Sequence, residues 1–204
     1  MVKGIPYGLM RWEISFKDGK LDGKYIRYTW PYHNKEVDGN YKNGKKDGLF
    51  KNFYGSNGTF KDDEKEGLWK DVYGDEKSVG TYTKGKKNGL WTYFHKSEEV
   101  KEKGEYDHNL KTGVWTKWNE KNTKIEEGAY AINDSLKKED KIGAWLYWDN
   151  NGQIYKEEIW EEGKVKDISE IKEEWYDSVR RWKKSRGKMI NGEKEGLWEY
   201  WRGD

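Results

Sequence analysis

The sequence predicts a mainly β protein: an elongated, single-layer antiparallel sheet of about eight stacked β-hairpins, interrupted by one inserted amphipathic helix. Three observations predict it. A pattern of aromatics and glycines returns along nearly the whole chain, as in "YKNGKKDGLFKNFY" (Tyr41 to Tyr54) and "YTKGKKNGLWTYF" (Tyr82 to Phe94). Asn-Gly, Asp-Gly and Lys-Gly pairs, which favour tight hairpin turns, stand between the aromatics. The chain is also 38% charged, yet it carries 13 Trp and 15 Tyr. Charge at that level borders on disorder. The rings argue for a thin ordered structure with an aromatic core, since each one buries roughly 150–250 Å².

The copies align on Gly-x-aromatic, a turn glycine, then Gly-hydrophobic-aromatic. A degenerate opening copy holds Phe16, Gly19, Gly23, Tyr25 and Tyr28. The first full copy is Gly39, Tyr41, Gly44, Gly48, Leu49, Phe50 and Phe53. Gly58, Phe60, Gly67, Leu68, Trp69 and Val72 follow, with Asp63 at the turn glycine's place. Gly80, Tyr82, Gly85, Gly89, Leu90, Trp91 and Phe94 make the next copy. Gly104, Tyr106, Gly113, Val114, Trp115 and Trp118 continue the series, with Asn109 at the turn. Then come Gly128, Tyr130, Gly143, Ala144, Trp145 and Trp148, carrying the extra residues "INDSLKKEDK". A degenerate copy holds Trp160 and Gly163, and the last has Gly187, Met189, Gly192, Gly196, Leu197, Trp198 and Trp201.

Each copy reads as a hairpin whose second strand begins at Gly-Leu-Trp. Strand period places Leu90, Thr92 and Phe94 on one face, and Trp91 and Tyr93 on the other. Both faces carry large apolar groups that one hairpin cannot bury alone. Edge-to-edge stacking lines these positions into ladders over one repeat domain, residues 1–204.

The spacing from Gly80 to Phe94 resembles the MORN-type repeat, in the bacterial variant found in antitoxin-like proteins of the YwqK family. The resemblance covers most of residues 8–201. It implies a twisted antiparallel sheet of successive hairpins. Asp63, Asn109, the insertion after Tyr130 and a larger insertion at 165–186 depart from the pattern.

In that larger insertion Ile168, Ile171, Trp175, Val179 and Trp182 fall at helical spacing. Asp167 can cap the start. Glu170, Glu173 and Glu174 come early and Arg180, Arg181, Lys183 and Lys184 late, complementing a helix dipole. The spacing predicts a helix near 167–184 laid across the sheet, serving as a lid or as a docking element.

Catalysis is not expected. His33, His95 and His108 form no metal-ligand spacing and read as solvated turn residues. The pairs Glu98-Glu99, Glu126-Glu127 and Glu161-Glu162 lie between lysines, without an apolar setting to raise a pKa. No nucleophile elbow or phosphate loop appears, and no metal or cofactor is expected. The 40 basic and 38 acidic residues are interleaved, without the basic stripe of a nucleic-acid binder. No apolar run approaches membrane-spanning length, and "MVKGIPYGLM" lacks an apolar signal core, which points to the cytoplasm.

A single-layer sheet is expected to leave part of the row Phe50, Trp69, Trp91, Trp115, Trp145 and Trp198 exposed, which would mark a partner surface. The candidate partner-binding residues are Trp69, Trp91, Tyr93, Trp115, Trp145, Tyr147, Trp198 and Tyr200. The resemblance implies an antitoxin or immunity-type protein that occludes a toxin. A scaffold that binds a membrane surface or cytoskeletal partner is the alternative, although balanced charge weakens attraction to anionic lipid. Trp and Tyr cages for glycan or choline are a third reading, which the missing leader disfavours.

Overall fold

A computed structural model describes residues 11–28, 34–175 and 183–201. Their strands fall into two compact units, Met1–Glu98 with Tyr106–Asn109, and Glu99–Glu105 with Leu110–Asp204. The first holds β1 (Arg11–Lys17), β2 (Lys20–Tyr28), β3 (Lys35–Lys42), β4 (Lys45–Lys46), β5 (Gly48–Asn52), β6 (Asn57–Lys61), β7 (Glu64–Tyr73), β8 (Glu76–Thr83) and β9 (Lys86–Phe94). After β10 (Val100–Asp107), the second unit continues with β11 (Leu110–Trp118), β12 (Lys124–Asn133), β13 (Lys138–Trp148), β14 (Ile154–Glu161), β15 (Lys164–Trp175), β16 (Lys183–Ile190) and β17 (Glu193–Tyr200). Within each unit the strands pair antiparallel with their chain neighbours, as hairpin follows hairpin.

The turns are tight because two successive residues take positive φ. Lys84 and Gly85 do so at 49° and 73°, and Asn43 and Gly44 at 50° and 86°. This is the turn whose twist suits a hairpin. Asp63 (φ 73°) and Asn109 (φ 76°) adopt the same conformation without glycine, and each then uses its side chain. Asp63 Oδ1 accepts the Lys46 amide at 2.8 Å, and Asn109 Oδ1 accepts the Lys87 amide at 2.7 Å. The departures from the repeat thus tie one hairpin to the one before it.

Except in β5, which begins at Gly48, the Gly-Leu step is not a strand start. Thr81 pairs with Asn88 and Gly80 with Trp91, so Gly89 and Leu90 form a bulge inside β9. Gly89 has φ 66°, a conformation that glycine adopts with little strain. Two extra residues preserve the alternation, so Lys87 and Trp91 stay on one face while Leu90 is thrown to the other. The residues "INDSLKKEDK" lengthen a hairpin: β12 and β13 stay paired out to Asn133 and Lys138.

No helix is present among the described residues, which corrects the expectation over 167–184. Asp167 to Trp175 belong to β15, and Lys183 and Lys184 open β16; residues 176–182, with Val179 and Trp182, lie outside the described residues. Ile168 sits across from Glu158 and Ile171 across from Lys188, so the apparent stripe divides between two faces. The early acids and late bases have another use. Folded back on themselves they become cross-strand pairs: Glu173 with Lys183 at 2.7 Å and Arg186 at 3.6 Å, and Glu174 with Lys184 at 3.8 Å.

Candidate functional site

The aromatic row is built one slot at a time. Each large ring occupies the space above a glycine on the preceding strand, where no side chain competes. Trp69 covers Gly58, Trp91 covers Gly80, Trp115 covers Gly104, Trp145 covers Gly128 and Trp198 covers Gly187. Each indole Nε1–H donates to the carbonyl of the residue after that glycine. The distances are 2.9 Å to Thr59, 3.1 Å to Thr81, 3.0 Å to Glu105, 3.2 Å to Ala129 and 3.2 Å to Lys188. A lysine four positions upstream on the same face caps the ring. Lys65, Lys87, Lys111, Lys141 and Lys194 stand 4.4, 4.4, 3.9, 3.7 and 4.0 Å from the ring centroids. Edge-to-face rings complete the layer, with Phe60–Trp69 at 4.9 Å and Tyr82–Trp91 at 5.0 Å.

This packing hides most of the row expected to stay partly exposed and leaves Trp198 partly open. Phe50, Trp69, Trp91, Trp115 and Trp145 are buried, with Trp91 at 0% exposure. Of the candidate partner-binding residues, Tyr93 and Tyr147 are half-buried and Trp198 likewise, while Tyr200 is exposed. Tyr93 hydroxyl contacts Lys87 Nζ at 2.8 Å and the Tyr106 hydroxyl at 2.9 Å. Tyr147 donates to Glu158 at 2.7 Å. Tyr200 lies beside Lys194. The rings are packed because the glycine slots sink them into the sheet itself.

Glu158 stands in β14 where other copies carry the slot glycine, opposite Trp145. The facing strand β15 brings Ile168 there and no indole, so the position is free for a side chain. Glu158 is buried and accepts from Lys156 (2.6 Å), Tyr147 (2.7 Å) and Trp160 (2.9 Å). Burial alone would raise its pKa; the three donors outweigh burial and hold it below the usual carboxylate range. Its partner Tyr147 is pushed up, by burial first and by the carboxylate second. Tyr82, donating to Asp71 at 2.7 Å, is pushed up for the same reasons.

One slot is underfilled. In the first unit Phe50 takes the indole's place above Gly39, and Phe60 takes the place of the tyrosine in other copies. Both are smaller than the groups they replace. Beside that slot lies a groove of about 500 Å³, lined by Phe50, Phe60, Trp69, Val37, Val72 and Tyr73 among others. Lys65 and Asp71, paired at 2.5 Å, stand at one wall. Tyr73 is 87% exposed, and Phe53 and Tyr54 are exposed nearby in sequence. Of these lining groups only Trp69 belongs to the candidate set read from sequence. The signal for the rest was present: "GLF" at Gly48 to Phe50 stands where most other copies write "GLW" or "GVW".

Among the described residues no group of three or more His, Cys, Asp or Glu could hold a metal ion. His108 sits exposed in a turn against Asp107, His95 is half-buried just after β9, and His33 lies outside the described residues. Glu98 pairs with Lys77, Glu126 with Lys117 at 2.7 Å and Glu161 with Lys166 at 3.0 Å. No helix among the described residues is long and apolar enough to cross a membrane. No protein-family model matches the chain, and no curated protein matches it either.

Proposed function

We propose that the chain is a non-catalytic protein-binding module that neutralises a toxin by direct binding, as an antitoxin or immunity protein does. The groove at Phe50, Phe60 and Trp69 carries the binding part of this reading. It is apolar and is lined by the exposed ring of Tyr73, the kind of pocket that receives an anchoring side chain from a protein partner. The toxin part rests on the resemblance of the repeat to MORN-type units of the YwqK family. The mechanism is steric: a pre-formed sheet accepts one apolar anchor, and the charges around it set orientation and on-rate.

Co-expression of the chain with the products of its neighbouring genes tests the reading. A complex that co-purifies, and that Phe50→Trp weakens at least tenfold by narrowing the groove, is the expected result. A complex indifferent to Phe50→Trp rejects the groove, and the failure of every neighbouring product to bind rejects the toxin.

A further inference from the structure

The hairpin turn after Trp148 meets β15 and β16 at a cleft of about 680 Å³, the size of a small-ligand pocket. Asp149 fixes one wall. Its Oδ1 accepts the amides of Asn151 at 2.8 Å and Gln153 at 2.9 Å, and its own amide donates to the Gln153 carbonyl at 2.9 Å. The same turn recurs after Trp118, where Asn119 accepts the amides of Lys121 and Thr123. That copy carries Lys121 and Lys124 where this one carries Asn151 and Ile154. The cations are gone. In the lining that remains, the side-chain amides of Asn151 and Gln153 and the Tyr155 hydroxyl have no hydrogen bond among the described residues. Tyr155 lies one residue beyond Lys156, and Ile171 one beyond its cross-strand partner Glu170. Glu173 follows Ile171 on the same face of β15, across from Arg186. Trp175, paired with Lys183, ends β15 and completes the lining.

We propose that this cleft binds a neutral oligosaccharide. Its charges select against an ionic ligand of either sign. The lining holds two acids, Asp149 and Glu173, and two bases, Lys183 and Arg186. Glu173 draws both bases, Lys183 at 2.7 Å and Arg186 at 3.6 Å. On β17, Glu199 lies across from Arg186 and Glu195 across from Lys188, so each of these cations has an acid beside it and an anion finds no surplus charge. A cationic ligand needs an open ring face, and the Trp175 ring already has Lys183 over it, 5.3 Å from its centroid. What remains is a set of planar hydrogen-bonding groups beside apolar rings. A pyranose matches that set, with hydroxyls around its rim and C–H groups over its flat face. The amides of Asn151 and Gln153 each offer donors and an acceptor, and Arg186 meets Glu173 through Nε, leaving its Nη groups to donate. Tyr155, 44% exposed, and the half-buried Trp175 supply ring surface. An apolar peptide anchor fits less well, because it would desolvate those amides without replacing their bonds. This site goes beyond the groove at Phe50 and does not require a toxin partner.

The test titrates the full chain with cellotriose, maltotriose and triacetylchitotriose by isothermal calorimetry. Choline and inorganic phosphate serve as controls. The expected result is saturable binding of at least one trisaccharide, unchanged as salt rises because no ionic contact is used. Tyr155→Ala should weaken it at least tenfold, and so should Asn151→Ala with Gln153→Ala. All three side chains are exposed, and the amide pair supplies the readout if Tyr155→Ala unfolds the chain. Phe50→Trp should leave this binding unchanged, which separates it from the groove. Binding of none of the trisaccharides, binding that survives both sets of changes, or tighter binding of choline or phosphate that the same changes abolish would overturn the proposal.

Discussion

The indole of Trp91 fills the space that a side chain on Gly80, its cross-strand partner, would need. A methyl group there would fall inside the ring. Gly80 does not have the positive φ that would demand glycine for backbone reasons, so the constraint is steric. Gly80→Ala is therefore expected to cost about 1–3 kcal/mol by overpacking. Urea denaturation measures it, and a variant as stable as the parent would show that the ring is not held against the strand.

The two faces should respond oppositely to truncation. Trp91→Ala empties a fully buried slot and also removes the bond to the Thr81 carbonyl. A loss of about 3–5 kcal/mol is expected. Leu68→Ala, at an open position, should stay within about 0.5 kcal/mol. Equal losses in thermal melts would mean that Leu68 is covered in solution.

Much of this architecture was legible because the slot glycine and the ring that covers it recur in register, as Gly58 with Trp69 and Gly104 with Trp115. Strand period separated Leu68 from Trp69 but did not say which face closes. That depends on a glycine one strand away, which admits the ring and seals the layer without a second sheet. The helix reading failed for a different reason. Acids followed by bases suit a helix dipole, but they equally suit a hairpin that folds Glu173 onto Lys183 and Arg186. Local pattern cannot separate the two; pairing of β15 on both edges decides it. Glu158 was illegible, because only the absence of an opposing indole makes room for it.

Acid should weaken the second unit through Glu158. Its folded pKa lies below its unfolded value, so its contribution is present above the unfolded pKa of about 4.3 and is lost as pH falls through the folded one. Glu158→Gln should be less stable at pH 7 and should lose less on acidification than the parent. Urea midpoints between pH 6 and pH 3 check this, and parallel curves would remove Glu158 from the account.

Alkali acts through Tyr82 and Tyr147. Both phenols have folded pKa values raised above the unfolded value of about 10, by burial and then by their carboxylate partners. Their stabilisation is complete below that pH and is lost above it, as the unfolded chain ionises while the folded one holds its protons. Tyr82→Phe loses the bond to Asp71, which sets back stability at pH 8 by about 1 kcal/mol. It should also flatten the decline between pH 9 and pH 11. A decline as steep as the parent's would mean that other groups, such as the paired lysines, carry the alkaline loss.

Phe50→Trp tests the slot rule and the groove together. Gly39 already leaves the room that Gly80 leaves for Trp91, and the carbonyl after it, on Asn40, is where each repeat's indole N–H donates. That carbonyl also accepts the Asp47 amide at 3.0 Å, and a carbonyl has two lone pairs to offer. A tryptophan should therefore enter without strain, bury ring surface that Phe50 lacks and place Nε1 against Asn40. Stability should rise by about 0.5–2 kcal/mol, the range of a well-fitted cavity filling. The groove beside Phe60 and Trp69 should narrow at the same time. A destabilised variant would mean that the shorter strands β5 and β6 hold a slot too shallow for an indole, and that Phe50 was placed there by packing alone.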